Sequence, residues 1–274
     1  MEWPTYRNSL EEYHRRSTEK KEFEQWLQSN LSGIIDKITL PVDEDGFRHL
    51  DIGSGDGDMC CKLVDIILNH HHSVICRSVE PIAEEIEKFR ELVKKQTRAN
   101  ATFDMRQETT EEYEKRPEVV VECLFHLVTI LQMIVAVDDL EKTIMHHYEN
   151  EMGKGSAMII SLISDKSPDL ISAVDASHGF KWSSADVRRM LQEKDLHYTE
   201  QFVPYTVDIT QCFDETSLKG ALLMEMLTIT PGFRECVSKE KQKTILDILK
   251  SKSFKDGDDI LAKYGFDVYI VFKT

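Results

Sequence analysis

The chain has 274 residues, of which 41% are apolar, and its formal net charge is −15. This is enough sequence for one large domain with a sizeable core, while so negative a surface opposes the phosphate backbone of a nucleic acid. The longest apolar stretch, at 119–137, is interrupted by polar residues and contains no run of the roughly 18 apolar residues that a membrane-spanning helix needs. We therefore expect neither a nucleic acid nor a membrane as a partner.

The six cysteines show neither a CxxC pair nor a regular spacing. This usage favours reduced thiols and a cytoplasmic location. The N-terminal 29 residues are polar and charged, and they lack the apolar core of a signal peptide. We expect a cytoplasmic monomer.

Hydrophobic periodicity predicts an alternation of helices and strands along the chain. The first half is predicted to contain, in order, a helical region at 9–38, a strand at 48–52, a helix from 58, a strand at 73–79, a helix at 82–97, a strand at 101–105, a helix at 109–116 and a strand within 119–130. The second half is predicted to contain a helix at 139–152, a turn at 153–155, a strand at 156–163, a helix at 184–194, a strand at 198–207, helices at 216–228 and 238–250, and a strand at 266–272.

This alternation predicts an α/β fold with a doubly wound, mostly parallel sheet of seven strands. We expect the whole chain, residues 1–274, to be a single domain. Residues 1–40 and 209–260 are predicted to form a helical cap over the carboxyl edge of the sheet, which is where open α/β sheets bind their ligands.

The segment LDIGSGDGD at 50–58 follows the first predicted strand and places three glycines at alternate positions. Gly53 permits a tight turn at the strand end, Gly55 lets the backbone approach a ligand, and Gly57 lets the next helix pack near the strand. Asp51 and two further aspartates crowd this loop with negative charge. That charge disfavours a pyrophosphate and suits a cofactor that carries an amine and a sulfonium.

An acidic residue follows the second predicted strand, since Glu80 lies 23 residues after Gly57. A carboxylate at the end of strand two can accept both hydroxyl groups of a ribose, as it does in nucleotide-type cofactor sites. Together with the glycine segment, Glu80 predicts a cofactor cradle. The alternative is a plain glycine turn between a strand and a helix, with Glu80 solvated at a strand end.

The glycine segment resembles motif one of the class I S-adenosylmethionine-dependent methyltransferases, and the wider chain resembles one branch of them, the histamine N-methyltransferase family. The matching blocks are STE at 17–19, LSGII at 31–35, VEP at 79–81 with AEEI at 83–86, QETTEEY at 107–113, LQM at 131–133 with VDD at 137–139, and DITQCF at 208–213. The resemblance spans nearly the whole chain. It implies a Rossmann-like methyltransferase fold, S-adenosylmethionine as the cofactor and S-adenosylhomocysteine as the product.

The resemblance also implies which residues contact the cofactor. They are Gly53, Glu80, Glu85, Thr110 and Leu131, which add to the contacts predicted from the loop itself for Asp51, Gly55 and Gly57. The family has glutamine where Glu85 stands. Thr110 follows strand three, where its hydroxyl can reach the adenine edge. The alternative for Thr110 is to cap the helix at 111–116, and the two roles can coexist.

On the acceptor side, the resemblance implies four substrate-binding residues, namely Glu19, Gln132, Tyr6 and Tyr13. A carboxylate can orient an imidazole or pair with an ammonium group, and aromatic faces can hold a cation. The alternatives are a solvated helix start for Glu19, a hydrogen-bond partner within the protein for Gln132, which would be buried in an apolar stretch, and core packing for the two tyrosines.

The acceptor side also departs from the family pattern. Val135 and Ala136 stand where the family has an aromatic pair, and no tryptophan occurs at 164–177. Gly265 falls at the family's late polar substrate contact, and Trp182 is a candidate local replacement for the missing aromatic residues. These differences imply a reshaped acceptor pocket.

The predicted function is therefore an S-adenosylmethionine-dependent N-methyltransferase that acts on a small, histamine-like amine or imidazole compound. Methyl transfer is an in-line displacement by a neutral nitrogen, which needs alignment and exclusion of water more than a strong base. An imidazole nitrogen is largely neutral at pH 7, so we assign no catalytic acid or base. Two alternatives stay open: a non-catalytic ligand-binding or interaction protein on the same scaffold, and a protein methyltransferase.

No metal site is predicted. The histidines at 70–72 are interpreted as a loop between a helix and a strand, and those at 146–147 as one face of a helix. The three histidines at 70–72 are not accompanied by cysteines or carboxylates at the spacing of metal ligands.

Overall fold

The structure is a computed structural model that describes residues 3–42, 45–116, 124–174 and 181–274, with side chains from Arg7 onward in the first helix. Its strands are β1 (Phe47–Ile52), β2 (Val74–Val79), β3 (Ala101–Arg106), β4 (Phe125–Leu131), β5 (Met152–Ile163), β6 (Tyr198–Asp208), β7 (Ser253–Asp256) and β8 (Asp259–Phe272). Its helices are α1 (Trp3–Arg16), α2 (Glu19–Ile35), α3 (Asp58–Ile67), α4 (Ala83–Lys95), α5 (Thr110–Tyr113), α6 (Leu140–His146), α7 (Leu170–Val174), α8 (Ser184–Glu193), α9 (Leu218–Thr228), α10 (Phe233–Cys236) and α11 (Lys239–Ser251).

The strands form one sheet in the order β3-β2-β1-β4-β5-β8-β6. β1 pairs in parallel with β2 and β4, β2 with β3, and β4 with β5. Backbone hydrogen bonds join Lys273 to Gly155 and Ser156, and Ser164 to Gly265, so β8 runs antiparallel to β5. The predicted α/β class and the mostly parallel, seven-stranded path are confirmed, and the short strand β7 is an addition that pairs with β8.

Two predicted helices differ from the structure in detail. The helical region at 9–38 is broken between α1 and α2, where Ser17 forms an antiparallel bridge with Val207 and the backbone N–H of Thr18 donates to Thr206. The helix predicted at 139–152 is confirmed almost to its end, although its last five residues, His147–Glu151, form a π-helical segment that continues α6. The turn predicted at 153–155 is wrong, because pairing with Phe125 and Lys273 extends β5 back to Met152.

The central strands are buried on both faces, as parallel strands between helices usually are. Every described side chain of β1 except the half-buried Arg48 is buried. In β4 all residues before Leu131 are buried. Helix α3 turns Leu63, Val64 and Ile67 into the core. These apolar runs explain why the strands nearest the glycine segment could be located from sequence.

Contacts divide the chain into two compact units. The first comprises Met1–Phe23, Ile163–Ser184 and Phe202–Phe266, and the second comprises Glu24–Leu162, Ala185–Gln201 and Asp267–Thr274. The predicted single domain and the helical cap from 1–40 and 209–260 stay predictions. Among the described residues, no helix is both long and apolar enough to cross a membrane.

Candidate functional site

The glycine loop after β1 has the backbone conformation that its three glycines predict. Gly53, Gly55 and Gly57 have φ angles of +76°, +55° and +76°, in the left-handed region that other residues rarely adopt. A Cβ atom on Gly53 would lie 2.5 Å from Met133, and one on Gly57 would lie 2.1 Å from the ring of Phe89. A Cβ on Gly55 would have no atom within 4 Å, so the loop is open to a ligand at that position.

The role predicted for Gly57 needs a correction. Phe89 belongs to α4, so the missing side chain of Gly57 makes room for that helix rather than for the packing of α3 against a strand. The position nevertheless requires glycine, because space and backbone conformation both exclude a side chain. Gly53 is held to the neighbouring strand by its N–H, which donates to the carbonyl of Val79 at 2.8 Å.

Glu80 lies in the cradle and not in solvent, since it is only 6% exposed. Its Oε2 accepts a hydrogen bond from the N–H of Gly55 at 3.0 Å, and its Oε1 accepts one from Ile82 at 2.9 Å. Burial raises the pKa of Glu80, and these two hydrogen bonds partly offset that effect. A carboxylate has about four lone-pair directions, so the group keeps acceptor capacity for the hydroxyls of a ribose.

Asp51, the carboxylate at the end of β1, is buried as well. Its Oδ1 accepts a hydrogen bond at 2.7 Å from the hydroxyl of Thr129, the residue that faces it across the β1–β4 pairing. Thr129 was not predicted from the sequence as a site residue. It lay inside an apolar run and carried no local signal beyond being polar.

The remaining predicted cofactor residues follow β2, β3 and β4 at the same edge of the parallel sheet. Glu85 is buried in the first turn of α4 and accepts a hydrogen bond from Lys88 at 2.5 Å. Thr110 is buried as the first residue of α5. Leu131 is half-buried as the last residue of β4.

Thr110 does not cap the helix that follows it. The N-cap is Thr109, whose hydroxyl accepts from the N–H of Glu112 at 3.1 Å, while the carboxylate of Glu112 accepts from the N–H of Thr109 at 2.9 Å. This capping box satisfies the helix start. The capping alternative for Thr110 is therefore wrong, and its hydroxyl is not needed for the helix.

Gln132 differs from its predicted environment. The residue is exposed rather than buried, and its φ angle is +59°, which is uncommon for a residue with a side chain. Its N–H donates to the carbonyl of Ser161 at 2.8 Å, so the strained backbone is held by β5. Within the described residues its side-chain amide has no hydrogen-bond partner. Strained residues of this kind concentrate at functional sites.

In the first unit, Glu19 belongs to a buried cluster with two tyrosines. The hydroxyl of Tyr13 donates a very short hydrogen bond to Oε2 of Glu19, and a hydrogen bond of 2.9 Å joins the hydroxyls of Tyr13 and Tyr205. Burial raises the pKa of Glu19, although the bond from Tyr13 opposes the shift. Burial also raises the pKa values of both tyrosines well above their usual range. Glu19 is thus not a solvated residue at a helix start.

No described Lys, Arg or His side chain forms an ion pair with Glu19. The side chain of Glu19 is half-buried; Tyr13 hydrogen-bonds its carboxylate directly, and Tyr205 hydrogen-bonds Tyr13. A group of this kind can bind a ligand that supplies an N–H or a positive charge. Tyr205 was missed by the sequence analysis, because nothing local links a residue of β6 to α1. Tyr6 lies in α1, and its side chain is outside the described residues.

Two groups of side chains have ligand atoms within 4.8 Å of one another, as in metal sites: His49 with Cys60 and Cys76, and His146 with His147 and Glu151. Neither group was predicted from the sequence, because the first is brought together by three different elements and the second by the π-helical segment. The histidines at 70–72 follow α3, where His70 hydrogen-bonds Ser32 at 3.0 Å.

No family model matches the chain. Curated relatives nevertheless align with most of it. It is 27% identical to histamine N-methyltransferase from Cavia porcellus over 260 residues, which cover 91% of this chain and 88% of the relative. It is also 27% identical to carnosine N-methyltransferase 2 from Gallus gallus over 199 residues, which cover 67% of this chain and 60% of that protein.

Solved structures share the fold. A protein from Bacillus halodurans that has been assigned as a methyltransferase superposes with a TM-score of 0.57 at 15% identity, covering 89% of this chain and 99% of its own. A phosphoethanolamine N-methyltransferase from Haemonchus contortus, solved with S-adenosylhomocysteine, superposes with a TM-score of 0.50 at 18% identity, covering 90% of this chain and 52% of its own. At these identities the likeness concerns the fold.

Proposed function

We infer that this chain, a class I methyltransferase that resembles the histamine N-methyltransferases, transfers a methyl group from S-adenosylmethionine to a nitrogen of a small amine or imidazole compound. The observation that carries the inference is the hydrogen bond from Gly55 to Glu80. It ties a glycine loop with open space to a buried carboxylate at the carboxyl edge of a parallel sheet, where such folds bind their cofactors.

The residues of the cradle fit this cofactor. Open space at Gly55 admits a ligand against the backbone, and Glu80 retains lone pairs for two ribose hydroxyls. The buried carboxylates of Asp51 and Glu80 favour a cofactor with a cationic end over one with a pyrophosphate. When bound, S-adenosylmethionine supplies an activated methyl group on a sulfonium sulfur.

The proposed role of Glu19 follows from its surroundings. A neutral imidazole has one N–H and one nitrogen lone pair. If the N–H donates to Glu19, the lone pair stays on the other nitrogen, which is then the nucleophile. Tyr13 holds the carboxylate through a direct hydrogen bond, and Tyr205 in turn hydrogen-bonds Tyr13, so the acceptor is oriented without a strong base. The exposed amide of Gln132 is proposed as a second polar contact for the acceptor.

The acceptor class rests on this chemistry together with the named relatives. Histamine and carnosine each carry an imidazole, and the relatives that bear these names align with this chain. We propose a small imidazole or amine as the acceptor, and a cytoplasmic monomer as the acting form. The described cysteines, which are all free thiols, are compatible with a reducing compartment.

The test is transfer from labelled S-adenosylmethionine by the full chain, with histamine, carnosine, a primary aliphatic amine and a lysine-rich peptide as separate acceptors. Glu80→Ala is the negative control, because it removes the ribose contact. We expect label in at least one small acceptor and none with the variant. Label in the peptide alone would favour a protein methyltransferase. S-adenosylhomocysteine binding without any transfer would favour a binding protein on this scaffold.

A further inference from the structure

A chain of hydrogen bonds runs through the core of the second unit and ends on Asp51. The sulfur atoms of Cys60 and Cys76 are 3.3 Å apart, and Cys76 Sγ lies 3.5 Å from Nδ1 of His49. On the other side of the ring, Nε2 of His49 lies 2.8 Å from Oγ1 of Thr129, which lies 2.7 Å from Oδ1 of Asp51. None of these five residues is more than 3% exposed.

The carboxylate of Asp51 determines which groups donate and which accept in this series of hydrogen bonds. A carboxylate oxygen only accepts, so the hydroxyl of Thr129 donates to Asp51. That hydroxyl has no second hydrogen, so it must accept from Nε2 of His49, which therefore carries a hydrogen.

The proton between His49 and Cys76 does not alter this direction. Burial opposes a charged imidazole, but the adjacent Cys76 and the nearby Asp51 together outweigh it and hold the pKa of His49 above its ordinary value. The hydrogen bond with Cys60, helped by His49 and opposed by burial, lowers the pKa of Cys76 to about 7. Whether the proton lies on sulfur or on Nδ1, Nε2 keeps its hydrogen and the donation to Thr129 persists.

We propose that Thr129 and His49 are positioning residues that hold the carboxylate of Asp51 toward the ammonium group at the methionine end of S-adenosylmethionine. This inference rests on the proposed function. The hydrogen bond from Thr129 restricts the rotation of the Asp51 side chain before the cofactor binds. Cofactor binding then costs less side-chain conformational entropy. In metal sites, a carboxylate that hydrogen-bonds a histidine ligand orients the imidazole in the same way.

The experiment compares two ligands by calorimetry. S-adenosylhomocysteine has the amino-acid end, whereas 5′-methylthioadenosine lacks it and keeps the adenosine. Thr129→Val removes the hydroxyl at nearly constant volume. We expect the Kd of S-adenosylhomocysteine to rise about fivefold to tenfold, which is the size of one lost hydrogen bond. The Kd of methylthioadenosine should change less than about twofold, because it makes no contact with Asp51.

Three further variants complete the test. Thr129→Ser restores the hydroxyl and should restore the affinity. Thr143→Val, at a buried threonine of α6, is the matched control for loss of a buried hydroxyl. Asp51→Asn should show the same ligand selectivity, and combining it with Thr129→Val should add little, because both act on one contact.

Equal loss for both ligands would mean that Thr129 serves only the fold, and an unchanged affinity for S-adenosylhomocysteine would mean that it serves neither. Either result overturns the proposal. Failure of the unmodified protein to bind either ligand would instead refute the cofactor assignment on which the proposal rests.

Discussion

The backbone N–H of Gly55 donates to Oε2 of Glu80 at 3.0 Å, and this bond joins the loop after β1 to the residue after β2. Loop and carboxylate therefore position each other before any ligand arrives. A binding site that is ordered in advance loses less conformational entropy on binding. Substitutions of the loop glycines can separate the role of the loop in folding from its role in ligand binding.

Gly55→Ala and Gly57→Ala should have different consequences. At Gly57 the new methyl group would meet the ring of Phe89 at 2.1 Å in a left-handed backbone, so the variant should lose about 2–5 kcal/mol of unfolding free energy. At Gly55 the space is open, and backbone strain alone should cost about 1 kcal/mol. Urea denaturation measures both.

The two variants should rank in the opposite order for cofactor affinity, with Gly55→Ala the more affected. The methyl group of Gly55→Ala occupies the space assigned to the cofactor, so calorimetry at a temperature where both variants are folded should show the larger loss of S-adenosylhomocysteine affinity for Gly55→Ala. If Gly55→Ala binds normally, the cofactor does not approach the loop at this position.

Glu80→Gln tests the proposed ribose contact. The amide keeps the size of the side chain but loses the charge and one acceptor, and charged hydrogen bonds are worth about 1.5–3 kcal/mol. We expect the Kd of S-adenosylhomocysteine to rise about 10-fold to 100-fold. Glu87→Gln, an exposed position of α4, is the matched control and should bind as the unmodified protein does. Equal affinities in all three proteins would remove Glu80 from the site.

The parts of this molecule that could be predicted from sequence are those encoded locally. Three glycines at alternate positions specify a left-handed loop whatever surrounds them, and the apolar runs at β1, β2 and β4 specify buried strands. The acid at Glu80 was predicted for the same reason, since it directly follows such a run. These signals predict the candidate cofactor residues, which all lie in the second unit.

The features that could not be predicted from the sequence depend on contacts between residues far apart in the chain. The choice between Thr109 and Thr110 as the cap depends on where α5 begins, which neighbouring elements decide. Gln132 sits in an apolar stretch, but a left-handed backbone at the strand exit turns it to solvent. Tyr205 reaches Tyr13 across 192 positions of sequence, and no periodicity reports that distance.

Thiol reactivity should follow burial rather than acidity. Of the described cysteines, Cys236 alone is exposed. Burial raises the pKa of Cys61 to about 11 and that of Cys212 to about 12. Both thiols are therefore shielded from a reagent by burial and also contain little of the reactive thiolate. Cys76 has a pKa of about 7 but is fully buried, and a reagent reaches it only when the fold opens.

Iodoacetamide followed by peptide mass spectrometry measures these rates. We expect Cys236 to be modified at least about 100-fold faster than Cys76 in the folded protein, and the difference to disappear in urea. Comparable rates in the folded state would show that the reagent reaches the hydrogen-bonded series of residues that connects Cys60 to Asp51.

Glu19→Gln should act on the acceptor and not on the cofactor. Loss of a charged hydrogen bond to the acceptor's N–H should raise KM for an accepted imidazole or amine about 10-fold to 100-fold, with S-adenosylhomocysteine affinity unchanged. Glu22→Gln, one turn further along α2 and half-buried, is the matched control. An unchanged KM would exclude Glu19 from acceptor binding, whereas a parallel loss of cofactor affinity would indicate a general structural effect.

The same carboxylate predicts an unusual dependence of stability on pH. Burial holds the pKa of folded Glu19 above its ordinary value of 4.5, so the folded state binds this proton more tightly than the unfolded chain. The stabilisation is complete below pH 4.5 and is lost as pH rises through the raised pKa. Glu19→Gln cannot ionise, so its unfolding free energy does not decrease in this way. The unfolding free energy of the variant, relative to the unmodified protein, should therefore increase with pH above about 4.5 until Glu19 is fully ionised.

Urea denaturation at a series of pH values between about 4 and 8 measures that difference. Tyr13→Phe provides a second check, because the hydroxyl of Tyr13 opposes the shift in Glu19, and its removal should move the pH window upward. KM should change over the same pH range: the ionised carboxylate accepts a hydrogen bond from the acceptor's N–H more strongly than the protonated form does, so KM should fall as pH rises. A pH-independent difference between Glu19→Gln and the unmodified protein would show that Glu19 has the same pKa in the folded and unfolded chains.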